Sequence, residues 1–63
     1  MSLVRVNREE ELKEMGDVNL EQLLMKGKRH YDSEVFKVIE FNGLIWDMTI
    51  KGSNWIIRVF RRM

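Results

Sequence analysis

From Glu34 to Met63 apolar and polar positions alternate in three runs, broken by Asn42-Gly43 and by Gly52-Ser53. Asn-Gly between apolar runs is a strong hairpin signal, because a type I′ turn needs positive φ at both central residues. A two-residue loop there pairs Phe41 with Leu44, and therefore Ile39 with Trp46, Lys37 with Met48 and Val35 with Ile50. Gly52-Ser53 suits a type II′ turn, whose first central position favours Gly. It pairs Lys51 with Asn54, Ile50 with Trp55, Met48 with Ile57 and Trp46 with Val59. The two turns agree on one apolar face, whereas moving the second by a single residue would set Trp55 and Ile57 beside Lys51 and Asp47. The predicted core face therefore holds Val35, Ile39, Phe41, Leu44, Trp46, Met48, Ile50, Trp55, Ile57 and Val59. A buried indole on it needs a hydrogen-bond acceptor.

The pattern before this meander is helical. Asn7 followed by Glu10 has capping-box spacing, which predicts a helix from about Arg8 to Met15, stopped by Gly16. Glu9, Glu10 and Glu11 in its first turn complement the positive end of the helix dipole. A second start falls at Asp17 or Asn19, and Leu20, Leu23 and Leu24 form the stripe of a helix that ends at Met25, Lys26 and Gly27. Lys28 to Ser33 reads as a polar connector. Leu3, Val4 and Val6 fit either a short edge strand or a loose arm. With Leu12, Met15 and the three leucines as cover, the expected fold is α+β. It has two short N-terminal helices packed on one face of a three-stranded antiparallel meander, in a single domain spanning 1–63.

The other sheet face has rows Glu34-Lys51-Asn54, Phe36-Thr49-Ile56, Val38-Asp47-Arg58 and Glu40-Ile45-Phe60. Glu34 opposite Lys51 and Asp47 opposite Arg58 are favourable cross-strand charge pairs. Phe36, Val38, Ile45, Ile56 and Phe60 share this face, and such an apolar group marks a docking surface rather than a merely solvated one. These five residues with Arg58 are the candidate partner-binding set.

Composition narrows the function classes. At 63 residues a single core barely offsets chain entropy, so packing against a partner would help, and a deep substrate cleft does not fit beside a packed core. Without cysteine and with one histidine, disulfides are impossible and a structural zinc site is improbable on donor chemistry. No cofactor and no metal is expected. No apolar run approaches the ~18 residues of a membrane span, and Arg5 and Arg8 interrupt the stretch a signal peptide would need, so a cytoplasmic location is expected. The net charge of +1 conceals polarity: three basic against six acidic residues up to Met25 give −3, and eight basic against four acidic residues beyond it give +4.

Nucleophilic chemistry finds its raw materials only in His30, Asp32 and Ser33, which lie in the connector with no oxyanion motif. Carboxylate neighbours such as Glu9 and Glu10, or Asp32 and Glu34, lack the burial that separates acid from base. The glycines at 16, 27, 43 and 52 are isolated turn residues, not a phosphate loop. No enzymatic activity and no small-molecule substrate is expected. The basic residues Lys26, Lys28, Arg29, Arg58, Arg61 and Arg62, with sheet aromatics, form the alternative set, for nucleic acid. A helix followed by three antiparallel strands is similar in order to double-stranded-RNA-binding domains, but their second helix and its lysine cluster are missing. A sequence pI of 8.1 also lies below the range above 9 common in such binders. The reading favoured by the residues is a small interaction or regulatory protein that binds another protein, as a homodimer or with a heterologous partner, through the outer face of its meander.

Overall fold

The computed structural model describes residues 2–63. In chain order the elements are β1 (Leu3–Arg5), α1 (Arg8–Asp17), α2 (Leu20–Lys26), β2 (Lys28–Asp32), β3 (Phe36–Phe41), β4 (Leu44–Lys51) and β5 (Asn54–Arg62). The strands form one antiparallel sheet in the order β1-β5-β4-β3-β2. The meander from β3 to β5 has the expected register, with Ile39 facing Trp46 and Trp46 facing Val59. Its turns supply the backbone that register requires: φ is 54° at Asn42, 75° at Gly43 and 65° at Gly52.

The sheet has five strands, not three, which corrects the expected architecture while leaving it α+β. Lys28 to Ser33 is not a connector, because Lys28–Asp32 is a strand paired with β3. All five of its residues are exposed, so it carries no apolar alternation to betray it. Its charges and the register shift between Arg29 and Tyr31 are devices that keep an edge strand from recruiting another chain. At the opposite edge β1 pairs with β5, Leu3 facing Arg62 and Arg5 facing Phe60, which settles the choice between strand and arm.

The helix starts follow the sequence closely. Asn7 Oδ1 accepts from the Glu10 amide at 2.8 Å, and Asn19 Oδ1 accepts from the Glu21 amide at 2.7 Å. Gly16 does not stop α1, which continues to Asp17 and ends where Val18 turns extended and donates to Glu14 O. Gly27 does end α2. A Cβ there would overlap Ile39 Cγ2, so the bare glycine is what lets the helix end sit directly on β3.

Trp46, Met48, Ile39, Val59 and Leu44 from the sheet are buried together with Leu23 and Val6. Trp46 Nε1 donates to Phe41 O at 3.2 Å, the acceptor a buried indole needs. Val35 departs from the expected core: it lies before the start of β3 and is 59% exposed. Leu12 is also exposed, at 51%. At about 100° per residue, a helix that aims Glu11, Met15 and Val18 at the sheet turns Leu12 away.

Glu11 is the unexpected member of the interior. Its side chain is fully buried and closes the end of the β1–β5 ladder. Val6 N–H donates to Val59 O at 3.0 Å, while Val59 N–H donates to Glu11 Oε2 at 3.1 Å. Arg8 reaches Glu11 Oε1 at 2.8 Å, and Arg5 reaches both oxygens at 3.4 Å. Burial opposes ionisation, but the donors of Arg5, Val59 N–H and Arg8 outweigh it and hold the carboxyl below its ordinary range. A glutamate in the first helical turn thus acts as a backbone acceptor for a strand 48 residues away.

Candidate interaction face

Both helices lie on the core side, where Leu23, Met15 and Val18 pack on the buried cluster. The opposite sheet face has no helical layer. There the structure brings together the six candidate residues in the expected rows, Phe36-Thr49-Ile56, Val38-Asp47-Arg58 and Glu40-Ile45-Phe60. The two additional strands widen this face. β2 sets Tyr31 beside Val38 and Lys28 beside Glu40, and β1 sets Leu3 beside Arg62. The Tyr31 and Phe36 rings are 5.5 Å apart at an angle of 51°.

Exposure varies across the face. Ile45 is buried, Val38, Phe36 and Phe60 are intermediate, and Ile56 is 40% exposed. Ile45 and Val38 floor a hollow of about 290 Å³, walled by Ser2, Leu3, His30 and Arg62. Tyr31 and this hollow are not legible in the sequence, because β2 carries no apolar alternation and the choice between strand and arm for Leu3 is left open there. Beside the hollow, Arg62 grips Glu40 with both guanidinium nitrogens at 3.0 Å, and His30 Nε2 lies 2.9 Å from Glu40 Oε1. His30 first, and then Arg62, hold the Glu40 carboxyl below its ordinary range.

The two expected charge pairs do not form. Asp47 and Arg58 are opposite each other in register, yet among the described residues Arg58 makes no ion pair. Asp47 Oδ1 is enclosed without any hydrogen-bond donor. Register places two Cβ atoms together, but the long guanidinium remains free to point outward. Glu34 lies before β3 begins, so it and Lys51 are not a ladder pair.

The alternative basic set does not make one surface. Arg29 turns to Leu24 O at 2.8 Å and Asp32 at 3.1 Å. Arg61 is joined to Glu10 of α1, on the core side, and that carboxylate raises its pKa further. Arg62 is committed to Glu40. Arg58 lies on the outer face, and Lys26 and Lys28 are exposed.

His30, Asp32 and Ser33 diverge. His30 faces Glu40, Asp32 is held by Lys37 and Arg29, and Ser33 Oγ donates to Phe36 O at 3.0 Å while accepting from Phe36 N–H at 3.1 Å. Among the described residues no group of three or more His, Cys, Asp or Glu is placed to hold a metal ion, and no helix is long and apolar enough to cross a membrane. On the helix side Met15, Val18, Leu20, Leu23, Trp46 and Ile57 line a second, apolar cleft of about 210 Å³. Compared with family models, curated proteins and solved structures, the chain matches none of them.

Proposed function

We propose that this protein is a small non-enzymatic interaction module that docks another protein on the outer face of its sheet. The observation that carries the reading is the gathering of Phe36, Val38, Ile45, Ile56, Arg58 and Phe60 on one sheet face that no helix covers. Apolar and aromatic groups around a cationic side chain are the chemistry that protein interfaces favour at their centres. Glu10, Glu11 and Glu40 are each paired with arginines of the same chain. A second reading, single-stranded nucleic acid, draws on the Tyr31–Phe36 ring pair beside Arg58, since sequence-tolerant binders stack bases on such rings. The commitment of Arg29, Arg61 and Arg62 to internal acceptors ranks it behind the first.

Phe60→Glu and Phe36→Glu baits, checked for native circular dichroism, should lose a partner that the unaltered chain co-purifies. Unchanged capture would remove the outer face from consideration. Oligonucleotide titration at low and moderate salt tests the second reading, because phosphate contacts make affinity fall steeply with salt. Absence of salt-sensitive binding ends it.

A further inference from the structure

Resting on the reading of the outer face as a docking surface, we infer that its occupant is a second copy of this chain, stacked face to face about a two-fold axis that runs along the strands between β4 and β5. At the middle of the face lie two unlike charges that are not joined to each other. Asp47 and Arg58 sit opposite each other on adjacent strands, Asp47 Oδ1 has no donor, and Arg58 makes no ion pair among the described residues.

A half-turn about that axis lays β4 of one copy over β5 of the other. It therefore sets Asp47 on the partner copy's arginine 58 and, by symmetry, Arg58 on the partner copy's aspartate 47, so one contact is made twice. The adjoining rows follow from the same register. Ile45 meets the residue equivalent to Phe60, and Thr49 meets the residue equivalent to Ile56. Two-fold interfaces require a self-complementary patch. A donor–acceptor couple flanked by apolar rows has that property, whereas a uniformly basic face would repel its own copy.

The test uses charge reversal and sedimentation equilibrium on the full chain. The unaltered protein should dimerise reversibly between about 1 µM and 1 mM, the range of modest interfaces. Arg58→Asp and Asp47→Arg should each weaken self-association at least ~100-fold, because each confronts like charges twice. Mixing the two variants should restore a dimer, since an R58D copy offers two aspartates to the two arginines of a D47R copy. If Asp47→Arg does not fold, the double variant D47N/R58D replaces it and should associate roughly tenfold more tightly than R58D.

A monomer at all concentrations would overturn the second-copy inference while leaving a heterologous partner on the same face. A dimer indifferent to Arg58→Asp and Phe60→Glu would overturn both, because association would then use another surface. Failure of the mixed variants to pair, with both folded and the unaltered protein dimeric, would overturn the two-fold arrangement.

Discussion

Removing the Glu11 carboxylate should cost this protein a large share of its stability. At 63 residues the total expected is about 3–9 kcal/mol. Glu11→Ala leaves the Val59 amide buried without an acceptor, at a cost of about 1–3 kcal/mol. It also removes the buried methylene, worth ~0.8 kcal/mol. Arg5 and Arg8 have side chains 51% and 67% exposed, so they return to water and add only about 0–1 kcal/mol each. The sum, about 2–6 kcal/mol, should lower Tm by roughly 10 °C or more for a chain of this size. Glu11→Gln keeps an oxygen for Val59 N–H but turns an amide group toward arginine donors, and should cost about 1–2 kcal/mol. Urea titration followed by tryptophan fluorescence reads both losses directly, with m values unchanged if only the folded state is affected. The sign of the pH dependence follows from the lowered carboxyl pKa. The folded state binds this proton less readily than the unfolded chain, so the stabilisation is complete above the ordinary value of 4.5 and is lost as pH falls through the folded value. The difference between the unaltered protein and Glu11→Gln should thus be flat near neutrality and shrink below pH 4.5. A Glu11→Ala protein within ~0.5 kcal/mol of the parent, or a Gln variant as damaged as the Ala variant, would refute the role of Glu11 as a strand acceptor.

The other predictions probe positions that chemistry treats alike and the structure separates. Gly27→Ala drives a methyl group into Ile39 Cγ2 and should destabilise by about 1–3 kcal/mol, read by thermal unfolding; a neutral result would mean that α2 does not rest on β3. Gly16→Ala, inside α1 with nothing near the added carbon, should stabilise by about 0.5–1 kcal/mol; a loss in the same measurement would place Gly16 outside a regular helix. Carboxyl carbon NMR should find Glu40 titrating below the ordinary glutamate range, and His30→Ala or Arg62→Ala should move it upward because each removes a donor to the ionised form. An unmoved midpoint would dissolve the His30–Glu40–Arg62 cluster.

The meander was legible because two turns with demanding backbone geometry constrained the same alternation from both sides, and a one-residue error at either would have exposed Trp46 or Trp55. The edge strands lacked any such constraint. Residues of β2 are exposed throughout, so its membership in the sheet is carried by backbone hydrogen bonds, to which composition is nearly blind. Leu12 and Glu11 show a different limit. The pattern assigns Leu12 to the cover and Glu11 only to the helix dipole, whereas the helix exposes Leu12 and buries Glu11 as the acceptor of the ladder end, balanced by Arg5 and Arg8. One trace of this existed in the sequence: Glu11, Met15 and Val18 fall on a common helical face, with Arg8 one turn before the glutamate. The register that puts Phe36, Val38, Ile45, Ile56, Arg58 and Phe60 on one face was legible, while the width of that face, its hollow and the divorce of Asp47 from Arg58 were not.

That divorce gives the outer face its meaning. Several other charges of the chain are joined internally: Glu11 with Arg5 and Arg8, Glu10 with Arg61, Asp32 with Lys37 and Arg29, and, on the outer face itself, Glu40 with Arg62 and His30. Asp47 and Arg58 had the easiest geometry of all, being directly opposed on neighbouring strands, and they remain apart. Because Arg58 is exposed and hydrated, pairing within one chain would be worth only about 0–1 kcal/mol to it. The same two groups, enclosed between stacked faces with water excluded, would interact more strongly, and each would then be essential because a lone charge there is costly to bury. In the proposed two-fold arrangement, unlike charges held adjacent but unjoined among Phe36, Ile56 and Phe60 would complement their own rotated copy, and a single reversed charge should abolish that complementarity while the complementary reversal on a second chain restores it.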